Sequence, residues 1–140
     1  MESLTVLGTF HDKANSTLQK RLKDKDIPVS CGHITLLMLV FQNNGFMEIR
    51  QIVKILKKRK TTVSEIVNTL EKNGYLKKFR STEDKRIYCV KTTKEAELIK
   101  PVIEEVLQNM HKDVVANVSE EEIAVLVKVL NQFIVNLEEE

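Results

Sequence analysis

Between Lys57 and Arg86 the chain gathers side chains suited to a polyanion. Lys57, Lys58, Arg59 and Lys60 lead into Thr61, Thr62, Ser64, Glu65, Asn68 and Thr69, and Lys77, Lys78, Arg80, Asp84, Lys85 and Arg86 follow. Lysine and arginine pair with phosphates and supply affinity, whereas hydroxyls and amides can reach base edges and supply specificity. A threonine methyl can meet thymine, and asparagine can pair bidentately with adenine. Asp84, two positions before Arg86, can orient that guanidinium for a narrow, negative minor groove. The chemistry these residues suit is recognition of duplex nucleic acid, provided that a helix and a hairpin present them.

The sequence supplies both elements. Val63, Ile66, Val67 and Leu70 recur at helical spacing, which puts the polar residues from Thr61 to Thr69 on the other side of one helix. Asn73-Gly74 stops that helix, with the glycine just past its end. Two runs, Tyr75 to Arg80 and Arg86 to Thr92, then alternate as strands around a polar tip, Ser81 to Lys85. Before them, Ile49, Ile52, Val53, Ile55 and Leu56 mark a short helix from Glu48 to about Lys57. Helix, turn, helix and basic hairpin is the order of a winged helix-turn-helix.

The flanks read as helices. Leu4, Leu7, Phe10, Ala14, Leu18 and Leu22 make residues 4 to 24 amphipathic, and Ile27-Pro28 ends that stretch. Ser30 offers a cap for a helix to about Gln42, so apolar all round that it should be the buried central one. Asn43-Asn44-Gly45 is a turn signal. Leu98, Val102, Val106 and Met110 define a later stripe, and Ser119 with Glu122 is a capping box opening a last apolar helix. The stripes of residues 4–22, 98–118 and 123–137 exceed what one small winged helix can cover, which predicts a two-fold dimer through the terminal helices.

Charge sharpens the reading. The net charge of +2 divides unevenly: residues 48–94 hold 14 Lys and Arg against 5 Asp and Glu, a net +9, while the rest holds 8 against 15, a net −7. A middle segment so basic implies an anionic partner, either DNA or, as the alternative from another class, an acidic protein docked on a winged-helix interaction module. A chain of 140 residues can bury a core without disulfides or metal. The two cysteines, Cys31 and Cys89, set no disulfide framework, which together with the absence of a signal-peptide pattern or a long apolar run predicts a cytoplasmic protein with no membrane partner. The three histidines lack metal-ligand spacing, and no nucleophile, dinucleotide or phosphate-loop motif is present, so neither a metal, a cofactor nor an enzymatic activity is expected.

Lys60-Thr61-Thr62-Val63-Ser64, then Leu70-Glu71-Lys72-Asn73-Gly74-Tyr75-Leu76, Asp84-Lys85-Arg86 and Thr93 together resemble the MarR family of transcription factors. The resemblance implies one MarR-like domain over 1–140, mostly α with a small β wing. Its winged helix would span about 31–93, and its dimerisation helices about 4–26 and 94–138. It also implies a homodimer on a pseudo-palindromic operator, commonly repressing, with Thr61, Thr62, Ser64, Glu65, Asn68 and Thr69 on the recognition helix and Arg86 on the wing. Relatives often hold a small aromatic anion between the dimer helices and the winged helix, where His11, His33 and Met38 would be wall residues. The chain departs from the family pattern at Lys57-Lys58-Arg59, where the turn usually carries glycine, at Glu48 in a cap position and at Glu65 where a basic residue is common.

Overall fold

The computed structural model describes residues 1–138. In chain order these form α1 (Glu2–Asp24), α2 (Cys31–Gln42), β1 (Phe46–Glu48), α3 (Ile49–Leu56), α4 (Lys60–Lys72), β2 (Leu76–Arg80), β3 (Tyr88–Thr92), α5 (Lys94–Val114) and α6 (Glu120–Glu138). The architecture is mostly helical with a small three-stranded antiparallel sheet, the wing of a winged helix. Two compact units divide the chain, Met1–Val106 and Leu107–Glu140. Among the described residues no helix is long and apolar enough to cross a membrane.

In the first unit α2 is the buried centre, with Ile34, Leu36, Leu37 and Val40 enclosed. Val63, Ile66, Val67 and Leu70 of α4 and Ile49 and Ile52 of α3 close around it. Met47, Leu76 and Val90 add one face of the sheet. Among the described residues no polar or charged residue is buried. Apolar burial alone therefore holds this core, at about 1.5–3 kcal/mol for each fully enclosed large side chain.

The sheet has the order β1-β3-β2. Its edge strand β1 was not expected: Phe46, Met47 and Glu48 pair with Lys91, Val90 and Cys89, directly after the anticipated turn. Three residues are too few to show an alternating pattern. At the wing, β3 starts at Tyr88 rather than at Arg86. The Arg86 N–H donates to the Asp84 carboxylate and the Ile87 N–H to the Asp84 carbonyl, both at 3.0 Å, so neither joins the ladder as the strand reading required.

Helix ends fix the chain's direction. α1 and α4 close with the same left-handed cap, in which the N–H two residues past the cap returns to the last turn. In α1, Asp26 takes φ 59° and the Ile27 N–H reaches the Leu22 carbonyl at 3.0 Å. Termination therefore lies at Asp26, ahead of Pro28. In α4, Gly74 takes φ 83° and the Tyr75 N–H reaches the Leu70 carbonyl at 2.9 Å. In each case both the returning apolar residue and its partner are buried. Glu48 caps α3 in a reciprocal box with Gln51, whose Oε1 accepts the Glu48 N–H at 2.9 Å. Thr93 caps α5: its Oγ accepts the Ala96 N–H at 3.1 Å and donates to the Gly74 carbonyl at 2.6 Å.

The second unit contains the end of α5 and all of α6. Ser119 and Glu122 form the expected box, with backbone-to-side-chain bonds of 3.0 and 3.1 Å. The Ser119 N–H, with its hydroxyl, holds the Glu122 carboxyl below the ordinary range. α6 encloses none of its side chains; Val125, Leu126, Phe133, Ile134 and Leu137 are all exposed.

Gly74→Ala would force an L residue into the left-handed region and run its Cβ into the Glu95 carboxylate. Urea unfolding should show a loss of about 1–2 kcal/mol. An unchanged midpoint and slope would mean that this cap does not anchor α4.

Candidate nucleic-acid interface

α4 carries two faces at helical spacing. Val63, Ile66, Val67 and Leu70 are buried, and Thr61, Glu65, Asn68 and Lys72 are exposed as a single stripe opposite them. Thr62, Ser64 and Thr69 are half-buried at its margins. Lys58 and Arg59 are exposed in the turn before the helix, and Lys60 is its first residue. The turn keeps a left-handed residue without a glycine: Lys57 adopts φ 52°. A helix start flanked by exposed cations suits a phosphate, because free backbone N–H groups and positive side chains point the same way.

The wing tip is organised around Asp84. Its carboxylate accepts from Arg86 Nε at 3.1 Å, from Nη2 at 3.0 Å and from the Arg86 backbone N–H. Ser81 Oγ accepts the Glu83 and Asp84 N–H groups at 3.3 and 3.4 Å, which closes the tip. Arg86 nevertheless projects into solvent, its side chain 90% exposed. A planar guanidinium held by a fork on one edge keeps the rest of its donors free to meet another acceptor. Lys85 is exposed beside it.

α3, α4 and the wing border a cleft of about 660 Å³. Ile49, Val53 and Ile87 make it partly apolar, while Arg50, Lys60, Lys78 and Arg86 contribute cations. Five of the expected contact residues, Lys60, Ser64, Lys78, Asp84 and Arg86, thus share one wall system. Sequence reasoning missed two participants. Tyr88 accepts a hydrogen bond from Arg80 Nε at 3.0 Å and lies under both Lys78 and Arg80. Arg50, whose Nε donates to Glu48 at 2.5 Å, is close enough to help lower the Asp84 carboxyl. Tyr88 could have been found from its register opposite Arg80; no local signal marks Arg50. Glu71, at the other end of α4, accepts the Lys78 N–H at 2.8 Å and ties the helix to β2.

None of the three residues suggested for a ligand wall lines this cleft. His11 is exposed on α1, where it pairs with Asn15 at 3.2 Å. His33 bonds to the Ser30 hydroxyl, and burial, helped by the charge of Lys58, lowers its pKa. Met38 is half-buried five residues later on α2, about 140° around the helix from His33. A separate cavity of about 500 Å³ is lined by Asp12, Asn15, Ser16, Gln19, Ser30, Cys31 and Gly32 and includes none of the three. Burial pushes the Cys31 thiol up, which disfavours its thiolate.

Residues 29–88 match the family model for MarR. Over these residues the winged helix is that of the MarR model. A MarR protein from Peptoclostridium difficile is 25% identical, with a TM-score of 0.85 over 99% of this chain and 89% of that one. A MarR mutant from E. coli, solved with operator DNA, is 17% identical, with a TM-score of 0.81 over 92% of this chain and 91% of that one. FabT of Streptococcus pneumoniae, solved with DNA, is 24% identical, with a TM-score of 0.78 over 99% and 96%. No curated protein matches. The match to the MarR model starts at Val29 and stops at Tyr88, so it covers the helix-turn-helix and most of the wing and leaves the flanking helices to the fold comparison.

The wing yields a titration prediction. The Arg86 guanidinium, and then its N–H, hold the Asp84 carboxyl below the ordinary carboxylate range. A carboxyl depressed by its native partners stays ionised while the pH falls through the ordinary aspartate range, and loses its pair only below it. Carboxyl NMR should place the Asp84 midpoint below that of an ordinary aspartate. Arg86→Ala should raise it part of the way, since the backbone N–H remains. A midpoint unmoved by the substitution would leave the pair without an electrostatic role.

Proposed function

We propose that the chain is a homodimeric, sequence-specific DNA-binding transcriptional regulator. The observation that carries this reading is the pairing of an outward polar stripe on α4 with Arg86, extended by Asp84 on the wing of the same basic segment. α4 would lie in the major groove with Lys58, Arg59 and Lys60 on phosphates, while Arg86 enters the neighbouring minor groove with Lys78 and Lys85 beside it. Thr61, Thr62, Ser64, Glu65, Asn68 and Thr69 would then face bases or the groove walls. The MarR mutant and FabT structures, solved with DNA, support the choice of DNA as the partner. Such a regulator acts in the cytoplasm, where its operator is.

The dimer is argued from uncovered apolar surface. Leu4, Val6 and Phe10 of α1 are more than half exposed, and α6 is apolar on nearly every side with nothing enclosed. Patches of this kind mark association surfaces. Sedimentation at micromolar concentration should give twice the 16.1 kDa of one chain. A monomer under those conditions would remove the two-half-site geometry.

The function is tested by binding to duplex DNA as salt is raised. With ~6–10 phosphates neutralised, affinity should drop ~10³–10⁵-fold between 50 and 200 mM salt. Preferred sites should be inverted repeats with half-sites about 10 base pairs apart. Arg86→Ala should weaken binding and leave thermal melting intact, because the side chain is exposed. We read the protein as a repressor released by a small aromatic anion, which can act only through different affinities for the DNA-competent and incompetent states. Salicylate in the same titration should therefore lower operator affinity. A flat salt response with no site preference would instead favour an acidic protein partner for the basic face.

A further inference from the structure

We infer that Glu65 selects a cytosine in each half-site, an assignment that rests on the DNA-binding reading above. Glu65 stands in the middle of the exposed stripe Thr61, Glu65, Asn68, Lys72, whose spacings of four, three and four put all four on one side of α4. Its helical neighbours at three and four positions are Thr61, Thr62, Asn68 and Thr69, none of them cationic. Three of the other four acidic groups of the basic segment are engaged, Glu48 with Arg50 and Gln51, Glu71 with the Lys78 N–H and Asp84 with Arg86, and the fourth, Glu83, is exposed at the wing tip and not on α4. Among the described residues nothing ties down the Glu65 carboxylate.

An uncommitted carboxylate on a groove-facing helix is repelled by phosphates on both sides, so it is tolerated only where it meets a donor. The major groove presents two kinds, the N4 amino group of cytosine and the N6 amino group of adenine. Guanine and thymine present acceptors, N7 and O6 or O4, which a carboxylate meets with repulsion. Adenine surrounds its donor with N7 and the O4 of its partner, whereas the donor of cytosine borders the C5–H edge. Cytosine is therefore the base that the Glu65 side chain accepts best, and the exclusion of the other three adds as much to discrimination as the contact itself. Asn68 follows about 4.5 Å further along the helix. A bidentate adenine contact there would fall one or two base pairs from the cytosine.

The experiment is random-site selection with the full-length protein at one fixed salt concentration, comparing the unsubstituted chain with Glu65→Gln and Glu65→Ala. The side chain is exposed, and melting temperature checks that both variants fold. The unsubstituted protein should select cytosine at one half-site position, and replacing that base should weaken binding about 5- to 100-fold. Glu65→Gln should shift the preference to adenine, whose N6 and N7 a glutamine pairs with together. Glu65→Ala should flatten that position alone and tighten binding to unselected DNA. If both variants choose the same sites with the same weight at every position, the assignment to Glu65 is overturned while the DNA-binding reading stands. An unsubstituted protein that binds no duplex overturns both.

Discussion

Thr93 Oγ donates to the Gly74 carbonyl and accepts the Ala96 N–H, and the Thr93 N–H reaches the Tyr75 carbonyl at 3.3 Å. One residue thus joins the exit of α4, the end of β3 and the entry of α5. The left-handed Gly74 makes the geometry available, because a side chain there would occupy the space taken by Glu95. Glu71 adds a second tie from the last turn of α4 to β2. The direction of the exposed stripe relative to the wing follows from these few bonds between side chain and backbone. Everything proposed for the groove face depends on that direction being fixed, since a misplaced helix could satisfy phosphates but not bases.

Beneath this frame the core contains only apolar side chains among the described residues, so all the charge of the basic segment is carried on the outside. The groove face and the core are consequently separable. A change at Thr61, Glu65 or Asn68 alters what the surface offers and removes nothing from the packing around α2. The same separation explains the thiols. Burial pushes both thiols up, and Cys89 is enclosed as a small hydrophobe, while the half-buried Cys31 donates to the Asn15 carbonyl at 3.4 Å.

The parts of the fold legible in the sequence were those with many repeats of one signal. α1, α4 and α5 each carry several turns of apolar periodicity, α2 is a run apolar all round, and the box at Ser119 and Glu122 that opens α6 is a two-residue signature with a definite geometry. What was missed depends on partners far along the chain. β1 exists because Phe46, Met47 and Glu48 find β3, more than 40 residues later, and nothing local requires it. The end of α1 at residue 24 was legible, but its cause was assigned to Ile27-Pro28, whereas Asp26 turns first, since aspartate tolerates a left-handed backbone that most residues resist. At the candidate interface, Asp84 and Arg86 were readable because the pair is local. Arg50 and Tyr88 join the same cleft only through tertiary placement.

Lys57 holds the left-handed position of the helix-turn-helix turn at φ 52°, ψ 39°, where glycine would fit without strain. A lysine in that conformation costs about 1–2 kcal/mol relative to an unstrained backbone. In return the turn gains a positive charge immediately before α4. The turn therefore sits at a stability–activity trade-off: selection for heat resistance alone would drift toward glycine there, and a thermostabilised variant obtained that way would have surrendered part of its field.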